Sequence, residues 1–476
     1  MLFNSLLYFV FLAIVVGVSW ALVRKPTARA AFLFASSCLF YMAWSPAYVA
    51  LILGAAVWDW GMARLIADTP DSQTNKRRVL LLLSIGVNLG LLCYYKYVGF
   101  FAENLVALCH SVGIELSLNI TRTVLPVGIS FFTFQSMAYV IDVWRREIAA
   151  EPNLLRFWLF ATFFPQLVAG PISRAHLLLP QLHRTPQLDE NDVGEALFRI
   201  ARGLIKKVCI ADWLAVNLVD RVFSNPNVYS GSEIMVGLYA YTLQIYCDFS
   251  GYTDIAIGSA RLLGVRLPEN FNRPYQARSV AEFWRRWHMT LSTWLRHYVF
   301  FPLGGSKGSV WMAHRNTLIT LALIGLWHGA NWTFVLYGLL HGVAIAINRT
   351  RHRKLPKGWT HDVLPWTSNL WRVALTFHFV VLARILFRAP SLDTAGKLTL
   401  SLVENGWGLA RIDSGTWAIL GIGYAIHFAP VQWLDRVRVR FVAMPAYRQG
   451  LALTCAAVTL ALVAETDAVP FIYFQF

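Results

Sequence analysis

The sequence predicts an all-α polytopic membrane protein. Hydrophobic residues make up 57% of the 476-residue chain and charged ones only 14%, a balance too apolar for an ordinary soluble domain. Apolar runs of the roughly 17–25 residues needed to cross about 30 Å of hydrocarbon recur along nearly its whole length. The runs are continuous, whereas an outer-membrane barrel needs alternating strands of about ten residues.

The first run, MLFNSLLYFVFLAIVVGVSW, has neither a basic leader nor a small-residue cleavage site, which predicts a retained helix over 2–22. Further spans are predicted near 31–49, 50–66, 79–98 and 122–142, where short loops suggest plain helical hairpins. Others follow near 208–223, 234–262, 315–327 with 332–348, 370–388, 416–434 and 450–465. No linker rich in Ser, Gly or Pro marks off a soluble part. The simplest partition is one membrane domain over 1–476, with N-terminal hairpins in 1–145, a working core in 150–348 and C-terminal helices in 370–476.

Charge orients the spans. Basic clusters at Arg24, Lys25 and Arg29, at Lys76, Arg77 and Arg78, at Arg145 and Arg146, at Arg349 to Lys357 and at Arg436 to Arg448 share one side if the N-terminus faces the periplasm. The same rule accounts for the net charge of +16 without nucleic-acid binding. The six cysteines form no C-x-x-C and no zinc-ligand spacing, so buried free thiols are expected.

Within the core, FFPQLVAGPISR (163–174) predicts a re-entrant or interfacial loop, because irregular backbone at membrane depth must be covered by protein or line a cavity. In 281–308, Trp284, Trp287, Leu291, Trp294, Leu295 and Tyr298 recur at helical spacing beside Arg285, Arg286, Arg296 and Lys307. That pattern predicts an amphipathic interfacial helix with aromatic anchors.

Three places carry candidate chemistry. His328, in GLWHGANW (325–332), is an ionisable side chain in an apolar segment, and Gly325, Gly329 and Asn331 loosen the helix into a kink with the imidazole near its tip. Its ordinary pKa of about 6.5 suits proton transfer. His288, in RRWHMT, is a second imidazole beside an arginine pair. In YCDFSGYTDIAIG (246–258), Asp248 and Ser250 sit among apolar residues, where a carboxylate needs a partner or water. A serine-hydrolase triad of Asp248, Ser250 and His328 lacks the G-x-S-x-G elbow. Haem ligation by His328 and His341 needs facing histidines on another helix.

Seven stretches together resemble the membrane-bound O-acyltransferase (MBOAT) family, most closely its bacterial alginate O-acetyltransferase branch. They are LPVGISFFTFQSMAYVIDVWR (125–145), FFPQLVAGPISR (163–174), KKVCIAD (206–212), YCDFSGYTDIAIG (246–258), PENFNRPY (268–275), EFWRRWHMTLSTWLRHYVFFPLGG (282–305) and GLWHGANWTFVLYGLLHG (325–342). The resemblance implies a ring of about eleven transmembrane helices, with re-entrant and interfacial helices, around a central tunnel. It implies His328 as the catalytic residue and His288 as its companion. Acyl donor would enter from the cytoplasm and acceptor from the opposite side.

On that reading the protein is an O-acyltransferase of the bacterial inner membrane that moves an acetyl group to a hydroxyl for exopolysaccharide O-acetylation of the alginate type. His328 takes the proton as the hydroxyl attacks a thioester carbonyl, and His288, Asn331 or freed backbone amides stabilise the oxyanion. Trp327, Arg285, Arg286, Arg296, Asp248 and Ser250 are the further donor- or substrate-binding residues, the arginines and Lys307 facing the phosphates of coenzyme A or an acidic carrier. No bound cofactor and no metal are expected; the donor is acetyl-CoA or another acyl thioester. Expected partners are a periplasmic SGNH-type acetyltransferase, a polysaccharide as final acceptor and the lipid bilayer, with no nucleic acid. The competing readings are D-alanyl transfer to teichoic acid and, from another class, a secondary transporter, which predicts interrupted helices in matching halves.

Overall fold

The computed structural model describes residues 3–118, 124–168, 170–353, 366–464 and 470–472. The described residues are mostly helical and include no strand. Ala169 of the 163–174 segment and Lys354 and Lys357 of the basic clusters lie outside them.

Local chemistry explains where the helices begin and end. Ser5 caps Leu6–Ala21, its side chain accepting from the Tyr8 N–H. Pro26 and Pro46 open Pro26–Met42 and Pro46–Asp68 at the first helical position, where the missing N–H costs nothing. The run expected at 31–49 therefore breaks before Pro46. Thr74–Leu92 continues through a π-helical turn, Cys93–Tyr97, into Val98–Ser111. The 38 residues of Thr74–Ser111 rise roughly 57 Å at 1.5 Å each, more than one crossing requires. The run expected at 416–434 ends at Phe428, before Pro430.

Among the described residues four helices are long and apolar enough to cross a membrane: Pro46–Asp68, Thr74–Ser111, Asn369–Arg388 and Ala446–Val463, with Leu6–Ala21 a shorter apolar helix. Leu6 at the start of the first helix, and Leu451, Val458 and Leu462 on Ala446–Val463, expose their side chains, as lipid-facing residues do.

The chain divides into two compact units, 1–196 with 256–268, and 197–255 with 269–476. In the first, buried polar contacts tie helices together. Tyr8 Oη donates to Ser259 Oγ at 2.7 Å, and Arg29 donates to the Leu263 carbonyl at 2.6 Å. Asp59 accepts from Ser84 at 2.7 Å and from Asn88 at 2.8 Å, which satisfies a carboxylate far from water. The 163–174 segment holds one short helix, Phe164–Leu167, and its described residues up to Ser173 are buried.

In the second unit, the hairpin of Val310–His328 and Trp332–Arg353 depends on two glycines. A Cβ on Gly325 would lie 2.0 Å from the Phe334 carbonyl oxygen, and one on Gly338 2.1 Å from that of Leu321. Small residues allow this backbone approach, which is how helices associate without a hydrophobic drive between them. The expected single amphipathic helix at 281–308 is instead two short helices, Val280–Arg286 and Met289–Leu295, continued by a π-helical turn at Arg296–Phe300. The break falls on His288.

Candidate active site

All nine residues expected at the site lie in the second unit. His328 is the last residue of its helix because Gly329 turns extended, with φ −163° and ψ 148°. Asn331 then starts the next helix: its Oδ1 accepts from the Thr333 N–H at 3.0 Å, as an N-cap does, and its amide nitrogen donates to the Pro390 carbonyl at 2.7 Å. Both ends of the Asn331 side chain are engaged in shaping the turn. The turn holds His328 buried, 2% exposed, with the rings of Trp327 and Phe387 each 5.1 Å away in edge contacts.

His288 reaches the same place by a strained route. Its φ of 42° and ψ of 56° put a non-glycine residue in the left-handed region, a conformation that persists only when neighbours impose it. Asn270 imposes it. The Met289 N–H donates to the Asn270 carbonyl at 2.9 Å, and the Thr290 N–H and hydroxyl donate to Asn270 Oδ1 at 3.2 and 2.9 Å. An atom accepting from a backbone N–H is the amide oxygen, so His288 Nδ1, 3.2 Å from it, is the protonated nitrogen. Neutral His288 therefore carries its lone pair on Nε2.

Trp327 joins the two histidines, its ring 5.5 Å from that of His288 and 5.1 Å from that of His328. Phe249 also packs against His288, at 4.8 Å between ring centres. Behind this cluster stands Arg384, 1% exposed, its guanidinium 4.9 Å from the Trp287 ring and 5.2 Å from Phe387, with a hydrogen bond to Tyr337 Oη at 3.3 Å. Aromatic faces compensate such a buried cation in part. His341 is occupied elsewhere, its Nδ1 accepting from Trp284 Nε1 at 3.1 Å.

The other expected residues lie apart from the imidazoles or in other contacts. Arg286 pairs with Glu282 at 2.7 Å, while Arg285 and Arg296 are exposed. Asp248 pairs with the buried Lys207 at 2.8 Å, and Lys207 also pairs with Asp212 at 2.7 Å. Ser250 is buried two positions along the same helix, and its hydroxyl has no hydrogen-bond partner among the described residues. No hydrogen bond links Asp248, Ser250 and His328 as a triad among the described residues.

Sequence reasoning missed Asn270, Arg384 and Lys207. A lone arginine in the apolar run VVLARILF was a legible signal for Arg384, since ionisable residues within spans mark functional interiors. Lys207 and Asp212 are five apart, a spacing that shares a side only in the π-helical stretch Ile205–Asp212.

Helices long and apolar enough to cross a membrane, several with exposed apolar side chains, define a polytopic membrane protein. The profile of the MBOAT, membrane-bound O-acyltransferase family matches residues 127–387. The chain is similar to a probable alginate O-acetylase of Pseudomonas syringae pv. tomato, 38% identical over 87% of this chain and 77% of the relative. It is 34% identical to a peptidoglycan O-acetyltransferase of Helicobacter pylori, over 87% and 82% of the two chains. A teichoic acid D-alanyltransferase of Streptococcus thermophilus is 31% identical over 58% of this chain and 71% of its own. This chain belongs to the membrane-bound O-acyltransferase family and is a multi-pass membrane O-acyltransferase. The transporter reading is thereby set aside.

Proposed function

We propose that the protein transfers an acetyl group from a cytoplasmic thioester, acetyl-CoA or a carrier-bound acyl group, across the bacterial inner membrane to a hydroxyl, for O-acetylation of an exopolysaccharide of the alginate type. The observation that carries this reading is the contact of both His328 and His288 with the ring of Trp327, among buried aromatic side chains. In the proposed step His328 removes the hydroxyl proton, the oxygen attacks the thioester carbonyl, and the thiolate leaves and takes the proton from the imidazolium. A positioned base of this kind contributes about 10²- to 10⁴-fold.

The Asn270 contact bears on the role of His288. A neutral imidazole with its lone pair on Nε2 accepts a hydrogen bond and cannot donate one to an oxyanion, so His288 is assigned to positioning the acceptor molecule through a donor other than the hydroxyl proton that His328 removes. Trp327, in edge contact with both rings, is assigned to orienting them. The exposed Arg285 and Arg296, with Lys307, are assigned to the donor's phosphates, Arg286 to supporting them through Glu282, and Asp248 and Ser250 to the acceptor side. The whole chain acts as one membrane domain, with its N-terminus in the periplasm, and an SGNH-type periplasmic partner completes transfer to the polymer.

Transfer of D-alanine to teichoic acid is the second reading, favoured by the D-alanyltransferase relatives, which cover less of this chain than the acetylating relatives do. The test is the ester acetate and ester alanine content of cell-surface polymer in cells carrying His328→Ala at equal protein level. Loss of acetate supports the first reading, loss of alanine the second, and no change in either removes both.

A further inference from the structure

A small polar cavity of about 50 Å³ lies in the same unit as the candidate active site. Its wall includes Lys207, Asp212, Tyr241, Gln244, Asp248 and Arg388. Two of these adjoin the histidine pair along the chain. Asp248 precedes Phe249, which touches His288 at 4.8 Å, and Arg388 follows Phe387, which touches His328 at 5.1 Å.

Both cations in the wall are already paired. Lys207 lies 2.7 Å from Asp212 and 2.8 Å from Asp248, and Arg388 lies 3.2 Å from Asp220, which also lines the cavity. Three carboxylates against two cations leave no attraction for a phosphate or carboxylate ligand. What the wall leaves unmatched is neutral. Tyr241 Oη and Gln244 Oε1 are buried and have no hydrogen-bond partner among the described residues. Each such group costs about 1–3 kcal/mol when nothing fills its need. A phenol donates and an amide oxygen accepts, and the group that accepts from one and donates to the other is a hydroxyl. A hydroxyl would also answer the amide if its two ends were exchanged. The volume is more than the roughly 10–15 Å³ that one water needs and admits a hydroxyl-bearing group.

We propose that this cavity is a specificity subsite that takes one alcohol group of a polyhydroxylated acceptor, a hydroxyl other than the one being acylated. The inference rests on the acyl-transfer reading. It makes the enzyme selective for polyols over simple alcohols, through Tyr241 and Gln244.

The test uses the full chain in detergent, with acetyl-CoA as donor and thiol release as readout, and compares glycerol with 1-propanol. The two alcohols share three carbons and differ in hydroxyl number. Expected is a kcat/KM ratio of glycerol to 1-propanol of tenfold or more in the native protein, falling towards one in Tyr241→Phe and in Gln244→Leu. The ratio is internal to each preparation, so partial unfolding of a variant does not change it. A native ratio near one, as for a cavity that holds only water, overturns the subsite, and so does a ratio that both variants retain. If native protein releases no thiol with either alcohol, from acetyl-CoA or from a carrier-bound acetyl thioester, the acyl-transfer reading fails and the subsite falls with it.

Discussion

Trp327 contacts both His288 and His328, with its ring inclined 70° to one imidazole and 74° to the other. Edge contacts of this kind fix ring orientation as well as separation. A base that is 1 Å out of place forfeits about 10²-fold in rate. Trp327→Ala is therefore expected to lower kcat by about 10²-fold while the protein still assembles, and Trp327→Phe to lower it less. Rates of thioester cleavage, normalised to folded protein, check this; equal rates for Trp327→Ala and native protein would remove the indole from the mechanism.

Asn270 holds the strained turn at His288, and its carbonyl and side-chain oxygens together receive the Met289 and Thr290 donors. Asn270→Ala leaves the Thr290 N–H and hydroxyl without their side-chain acceptor at a cost of about 1–3 kcal/mol. Asn270→Asp keeps an acceptor in the same place and is expected to retain most of the stability. Thermal unfolding of the two variants in detergent compares them directly, and an alanine variant as stable as the native chain would refute the assignment.

The glycines of the hairpin make a contrasting pair with a lipid-side glycine. Gly338→Ala drives a methyl into the Leu321 carbonyl, an overpacking that costs about 1–3 kcal/mol, whereas a methyl on Gly86 would meet nothing within 4 Å among the described residues. Gly86→Ala is expected to be neutral or stabilising, since it removes a helix-interior glycine. The difference in unfolding midpoint between the two variants measures the effect.

Asp192 opens the amphipathic helix Glu190–Leu204, outside the spanning segments. Burial pushes its pKa up, but hydrogen bonding and charge from Arg261 and Arg266 outweigh burial and hold it below the usual aspartate value of about 3.9. A carboxyl depressed in the folded state contributes stability above its unfolded pKa, and that stability is lost as pH falls through the folded one. Native protein should lose stability below about pH 4, and Asp192→Asn should be less stable at neutral pH with a shallower acid slope. Unfolding midpoints across acid pH read both; an unchanged slope would exclude Asp192.

Much of the architecture was legible along the chain. Apolar runs located most of the helices, because a span must be continuous and apolar whatever its neighbours are. Glycines and Asn331 around His328 announced the break in the hairpin. The break at His288 was hidden, because the tryptophan and arginine spacing on either side reads as one continuous helix, and only Asn270, eighteen residues earlier, holds the turn open.

By itself, then, the sequence determined the class: a helical membrane protein with two imidazoles in segments that lipid alone cannot accommodate. The tertiary structure decided which partners those imidazoles have. Hydrogen-bond direction at Asn270 sets the His288 tautomer, Lys207 rather than a histidine engages Asp248, and Arg384 sits among aromatic faces. Each of these depends on groups distant in sequence meeting at hydrogen-bonding or ring-contact range, which no local spacing encodes.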